Sequence, residues 1–221
     1  MSTSEAYLSS SDYHADIAAT ASVWSGTGVL ETAGTFVLLT YFTIPCLLAV
    51  QPAGAGSIRT AIDGHRERTF LEGLVGLGVT GVPSGIARAD VRAGLERLRT
   101  RHAGYAGMRA EYMDFVGALL AIAPLRTRTL LGEPAEESAV RRYLRYMTHA
   151  MALLGIGLTD VSSLGRTAER FTVSSSGRSP LGDDLLRHYR ERHRAYFGAT
   201  FDALFPATRE IVVSALADAH A

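Results

Sequence analysis

Lysine and asparagine are missing from this 221-residue chain, and all 22 of its basic side chains are arginine. That absence excludes a Schiff-base lysine, a Walker-type phosphate lysine and any asparagine ligand or orienting group. Cysteine is nearly missing too. Cys46 stands alone, so the chain supplies no disulfide framework, thiolate zinc site or iron–sulfur cluster, and a reducing compartment is expected. An excess of either charge is also lacking. The 22 acidic residues balance the 22 arginines and the isoelectric point is about 7.1, which speaks against nucleic acid or an anionic membrane as the main partner. The longest apolar run, Phe36 to Val50, holds 15 residues with Pro45 and three hydroxyls inside it. A bilayer crossing needs roughly 20, so no transmembrane span is expected. Residues 1–22 lack a basic stretch followed by an apolar run, so no secretory leader is expected and a cytoplasmic location is the default.

What is present is core-forming material. Hydrophobic residues make up 47% of the chain and charged residues 20%, enough to bury a full interior and to exclude intrinsic disorder. Apolar residues recur with helical spacing, and no run alternates in the manner of a strand closed by hairpin turns. The spacing predicts a single all-α domain, a helical bundle over 26–221 preceded by a polar, Ser-rich, loosely ordered segment over 1–25. Helices are expected over about 30–50, 58–78, 89–102, 108–120, 133–154 and 183–204. They are punctuated by Gln51 to Gly56, by Gly81 to Gly85, by Pro124 and by Gly155-Ile156-Gly157.

Several catalytic signatures are absent: no Glu-x-x-His pair for a di-iron carboxylate site, no His-Glu-x-x-His, no Gly-x-Ser-x-Gly elbow. The seven histidines therefore carry the search. Ala87, Val91, Leu95, Leu98 and His102 recur at spacings that put them on one face of a helix, while Arg92, Glu96, Arg97 and Arg99 take other faces. A histidine at the end of an apolar stripe can face a cofactor, or it can be a core imidazole bonded to a backbone carbonyl. His193 shares a face with Leu186, Tyr189, Tyr196 and Phe197, a pattern typical of core. His149 is expected at a partly exposed position beside Arg142 and Arg145, and His14, His188 and His220 in solvated surroundings. Arg66, Arg68, Arg99 and Arg101 could each clamp a carboxylate bidentately or pair with a surface acid.

The order of these features resembles the MpaB-type oxygenases of fungal natural-product pathways and, more distantly, the bacterial latex-clearing proteins. The resemblance starts with Tyr41-Phe42-Thr43-Ile44-Pro45 in an apolar helix. It continues with an arginine-bearing helix, then Arg99-Thr100-Arg101-His102-Ala103-Gly104-Tyr105, then the acidic and apolar stretch Glu111 to Leu120 with Pro124. It covers roughly residues 36–157. It implies an all-helical haem b protein with His102 as the proximal iron ligand and Arg68 at the cofactor or in its pocket. In that register the threonine position holds Glu72, a candidate acid–base group, and the asparagine position holds Arg109. A second register uses Thr69 and places His65 where arginine is expected.

The resemblance therefore implies a haem b-dependent oxygenase that takes an apolar small molecule and O₂ or peroxide, cleaving a C=C bond or hydroxylating. Arg68 and Glu72 would be its catalytic residues, with Arg68 and His102 at the haem. The departures at Glu72 and Arg109 also suit a haem- or lipophile-binding helical protein without turnover, and a cofactor-free ligand-binding domain is a third reading. Exposed apolar helix faces on a chain of this size leave room for a homodimer.

Overall fold

Serine punctuates the start of the chain, and its hydroxyls set the first two helices. In the computed structural model, which describes residues 3–25, 85–104 and 132–157, ten positions between 113 and 129, and residues 187, 191 and 194, the first helix is α1 (Thr3–Leu8) and the second α2 (Ser11–Ser25). Ser10 separates them. Its hydroxyl donates to the Tyr7 carbonyl at 2.7 Å and accepts from the Tyr13 N–H at 3.3 Å. It thereby caps one of the N–H groups that a helix start leaves without an internal partner. Asp12 in the first turn adds a carboxylate where the helix dipole favours one.

The Ser-rich composition of residues 1–25 leads to the expectation of a loosely ordered segment. The described part is instead two helices. Tyr13, Ile17 and Val23 are buried, and α2 packs along α4 (Glu137–Leu153). The reason is physical: alanines at Ala15, Ala18, Ala19 and Ala21 favour helix and carry little bulk, while one narrow stripe does all the burying.

The other described elements are a 3₁₀ turn at Gly85–Ala87 and α3 (Ala89–Ala103). Gly85 sits at φ +43°, and a Cβ there would run into both the Ile17 side chain and the Tyr146 hydroxyl. Glycine is thus required twice over, by backbone and by space. The next two N–H groups are taken by tyrosines from the neighbouring helices. Ile86 N–H donates to Tyr146 Oη at 3.0 Å and Ala87 N–H to Tyr13 Oη at 2.9 Å. Two side chains from α2 and α4 thus satisfy backbone donors immediately before α3. An unpaired buried donor costs about 1–3 kcal/mol, so this stitch joins three elements.

On α4 the buried residues are Tyr143, Leu144, Tyr146, Met147, Ala150 and Met151. The helix begins at Glu137, three positions later than Pro134 suggests, after a stretch without regular structure that follows Gly132 at φ +77°. It ends as expected at Gly155, φ +77°. Gly155 N–H donates to the Ala152 carbonyl at 3.0 Å and Ile156 N–H to the Met151 carbonyl at 3.0 Å. Ile156 and Met151 are both buried. This is the Schellman pattern with its apolar contact.

Helical residues flank Pro124 on both sides, at Ala121, Ile122, Leu125, Arg128 and Thr129, so helical backbone continues beyond the end expected near residue 120. The expected helices at 30–50 and 58–78 lie outside the described residues, as does most of the one at 183–204. The described elements are all helical, with no strand among the described residues, and none of those helices is long and apolar enough to cross a membrane.

Candidate functional site

His102 occupies the last turn of α3, two residues before Gly104. The stripe expected from its spacing is realised. Val91 and Leu95 are buried, Ala87, Leu98 and His102 are half-buried, and Arg92, Glu96, Arg97 and Arg99 are exposed. His102 Nδ1 is enclosed by protein. At the same end of the helix the Arg99 methylenes lie over Gly155, so the ends of α3 and α4 adjoin. Asp114 Oδ1 accepts the Gly157 N–H at 3.1 Å and ties the turn after α4 to the helical residues between 113 and 129. Arg99 itself pairs with Glu96 at 2.6 Å on the solvent side, the surface role weighed for it above.

Arg68 and Glu72 lie outside the described residues, as do Thr69, His65, Arg109, His188, His193 and His220. Among the site residues expected from sequence, the structure therefore places His102 alone. His14 is exposed, as expected.

A second polar constellation, which sequence reasoning missed, is built between α1, α2 and α4. Asp16 is completely buried in the middle of the α2 stripe. Arg145 on α4 reaches it with both arms of its guanidinium, Nε to Oδ2 at 2.6 Å and Nη2 to Oδ1 at 2.7 Å. The same guanidinium lies 3.5 Å from Asp12, one turn earlier on α2. Tyr7 on α1 donates its hydroxyl to Asp16 Oδ2 at 2.9 Å, and Thr20 donates to the Asp16 backbone carbonyl at 2.8 Å. The Tyr7 ring is stacked flat on the His149 imidazole, centroids 3.7 Å apart and planes within 12°, and meets Tyr13 edge-on at 5.6 Å.

The electrostatics follow from burial. A carboxylate removed from water needs an opposite charge and filled lone pairs; Asp16 has both. Its hydrogen bond holds Arg145 still more firmly in the charged form. Burial raises the Tyr7 hydroxyl well above the usual phenol range, and the bond to Asp16 adds to that, so the proton stays on Tyr7. Burial also raises Tyr143, with the Trp24 indole acting in the opposite sense, and raises Tyr146, which the Ile86 N–H partly offsets. Burial lowers His149; Asp16 pulls it up and Arg145 down. His149 is thus half-buried, in keeping with the partly exposed position expected beside Arg142 and Arg145, but its ring is covered by Tyr7 and it is neutral near pH 7.

The missed signal was faint but present. Tyr13, Asp16, Ile17, Thr20 and Val23 follow helical spacing, which puts a carboxylate inside an otherwise core-facing stripe. Arg141, Arg145 and His149 recur every four residues on a later helix. With every oxygen of Asp16 enclosed, the cluster is a structural joint rather than a substrate cleft.

Among the described residues no group of three or more His, Cys, Asp or Glu side chains is placed to hold a metal ion. No family model, no curated protein and no solved structure matches the chain.

Proposed function

We propose that the chain binds haem b through His102 and acts as an oxygenase on an apolar small molecule. One observation carries the reading: His102 lies on the inward face of α3, at the end of the Val91–Leu95–Leu98 stripe, with Nδ1 enclosed by protein. The enclosed nitrogen suits a haem-ligating imidazole, whose second nitrogen lies within the protein, and Leu98 one turn earlier gives the position an apolar neighbour. The order of motifs resembling MpaB-type oxygenases supports the same assignment.

Bound haem would supply an iron centre able to bind and activate O₂ or peroxide. The protein's share is positioning. His102 would hold the iron from one side, and the half-buried Leu98 one turn earlier would keep water from that side. Arg68 would take a propionate or the distal pocket by its register, with Glu72, four residues further along the sequence, as a proton carrier. The departures at Glu72 and Arg109 favour a second reading, a haem- or lipophile-binding helical protein without turnover. It differs in consuming no oxygen with any apolar substrate.

The test is a visible spectrum of the purified chain with haemin, then dithionite. A Soret band that shifts on reduction, and is lost or displaced in His102→Ala, is the expected result. A His102→Ala protein that keeps stoichiometric haem with an unchanged spectrum sinks the assignment.

A further inference from the structure

We infer that α1 is a pH-sensitive lid, closed over the α2–α4 joint by the stacking of Tyr7 on His149 and released when His149 takes up a proton. The inference is independent of haem and of the oxygenase reading.

Tyr7 is the polar tether of α1, with Leu8 beside it packed against the core. Within α1, Glu5 and Ala6 are exposed, while Tyr7 and Leu8 are half-buried. Tyr7 makes three cross-element contacts: its hydroxyl to Asp16, its face to His149 and its edge to Tyr13. A helix of six residues has no stability of its own, so α1 persists only through such docking.

Among the described residues, the charged and titratable groups facing His149 from the packed elements are Tyr7 on α1, Asp16 with Asp12 beyond it on α2, and Arg145 on its own helix. Asp16 is already engaged by the Arg145 guanidinium through two bonds and by Tyr7 through a third. A proton on His149 therefore gains little from Asp16, whose charge is matched by Arg145. Burial dominates and favours the neutral imidazole, and the Tyr7 ring covers one face of it.

The sign of the pH dependence follows. His149 has a lower pKa when α1 is closed than when it is open, where the imidazole is near its ordinary value of about 6.5. The closed state binds fewer protons, so closure is fully favoured above that value. It weakens progressively as the pH falls below it, toward the lowered value of the closed form. From Asp16, lifting α1 takes away only the Tyr7 bond. The two-armed bond between Asp16 and Arg145 stays, so α2 and α4 remain docked while the lid opens.

Hydrogen exchange measured by mass spectrometry on the whole chain at pH 7.5 and 5.5, corrected for intrinsic rates, separates these events. The reporters are a peptide covering residues 3–10 and one covering residues 143–151. The Ser9 and Ser10 N–H groups, bonded to the Glu5 and Tyr7 carbonyls, report on closure. The expected result is a several-fold loss of protection in the first peptide at pH 5.5 with the second unchanged. That response should vanish in His149→Phe, which keeps a ring for the stack but cannot titrate. His149→Gln carries the same expectation should the phenylalanine chain not fold. Three results overturn the proposal: a pH response that survives in the folded His149 variant, a loss of protection shared equally by both peptides, or no pH response in the unmodified chain.

Discussion

The α2–α4 joint and the end of α3 solve the same problem differently. Each meets solvent at its margin and each carries arginine beside acid, yet only one places the acid in the core. At the joint, Asp16 is fully buried and Arg145 is 43% exposed, so the guanidinium bridges a buried carboxylate to the surface. On α3, Arg99 and Glu96 form an equally short pair with both side chains about half-exposed. Distance alone does not distinguish them; burial does. An exposed pair gives back to water most of what it gains, whereas a buried carboxylate makes its partner indispensable.

The sharpest way to break the comparison is to remove the cation from each pair. Arg145→Met leaves Asp16 buried with the Tyr7 hydroxyl as its remaining side-chain donor and should cost about 3 kcal/mol in urea unfolding, near the low end for a broken buried pair because Arg145 is partly exposed. Adding Asp16→Leu to Arg145→Met should recover most of that loss, because the charge left behind, rather than the lost attraction, is the source of the penalty. Gly85→Ala comes next, at about 2–3 kcal/mol from the positive φ and the collision with Ile17 and Tyr146; a thermal melt reads it directly. Arg99→Met, the counterpart of Arg145→Met, should shift stability by less than about 0.5 kcal/mol. Should Arg99→Met prove as damaging as Arg145→Met, the comparison fails.

Sequence pattern recovered α3 almost to the residue, because Val91, Leu95, Leu98 and His102 stand out against charged neighbours. The end of α4 was equally legible, since Gly155 is the residue that a left-handed cap demands. The face of α4 was legible only in part. Leu144, Met147 and Met151 recur with helical spacing and are buried, and Tyr143 and Tyr146 beside them are fully buried too. Tyrosine carries a polar tip, and pattern alone does not reveal that the Tyr146 tip is used by the Ile86 N–H, 60 residues away in sequence.

The α2 helix was only faintly legible for a related reason. Its alanines and serines give little contrast between faces, and the group that explains Asp16 lies 129 residues further along the chain. Of the candidate site, the inward placement of His102 followed from local spacing. The stacking of His149 did not, because its partner Tyr7 belongs to a distant helix.

The stitch at Gly85 has a consequence for how this chain can diverge. The space that a side chain at position 85 would need is filled by the tip of Ile17 and by the Tyr146 hydroxyl, the same hydroxyl that receives the Ile86 N–H. No one of these three positions can drift by itself. A larger residue at 85 requires a shorter one at 17 and the loss of the oxygen at 146, and that loss strands a backbone donor. In a lineage of homologues, positions 17, 85 and 146 should therefore change together or stay fixed together, leaving a triplet of linked substitutions by which distant relatives could be recognised.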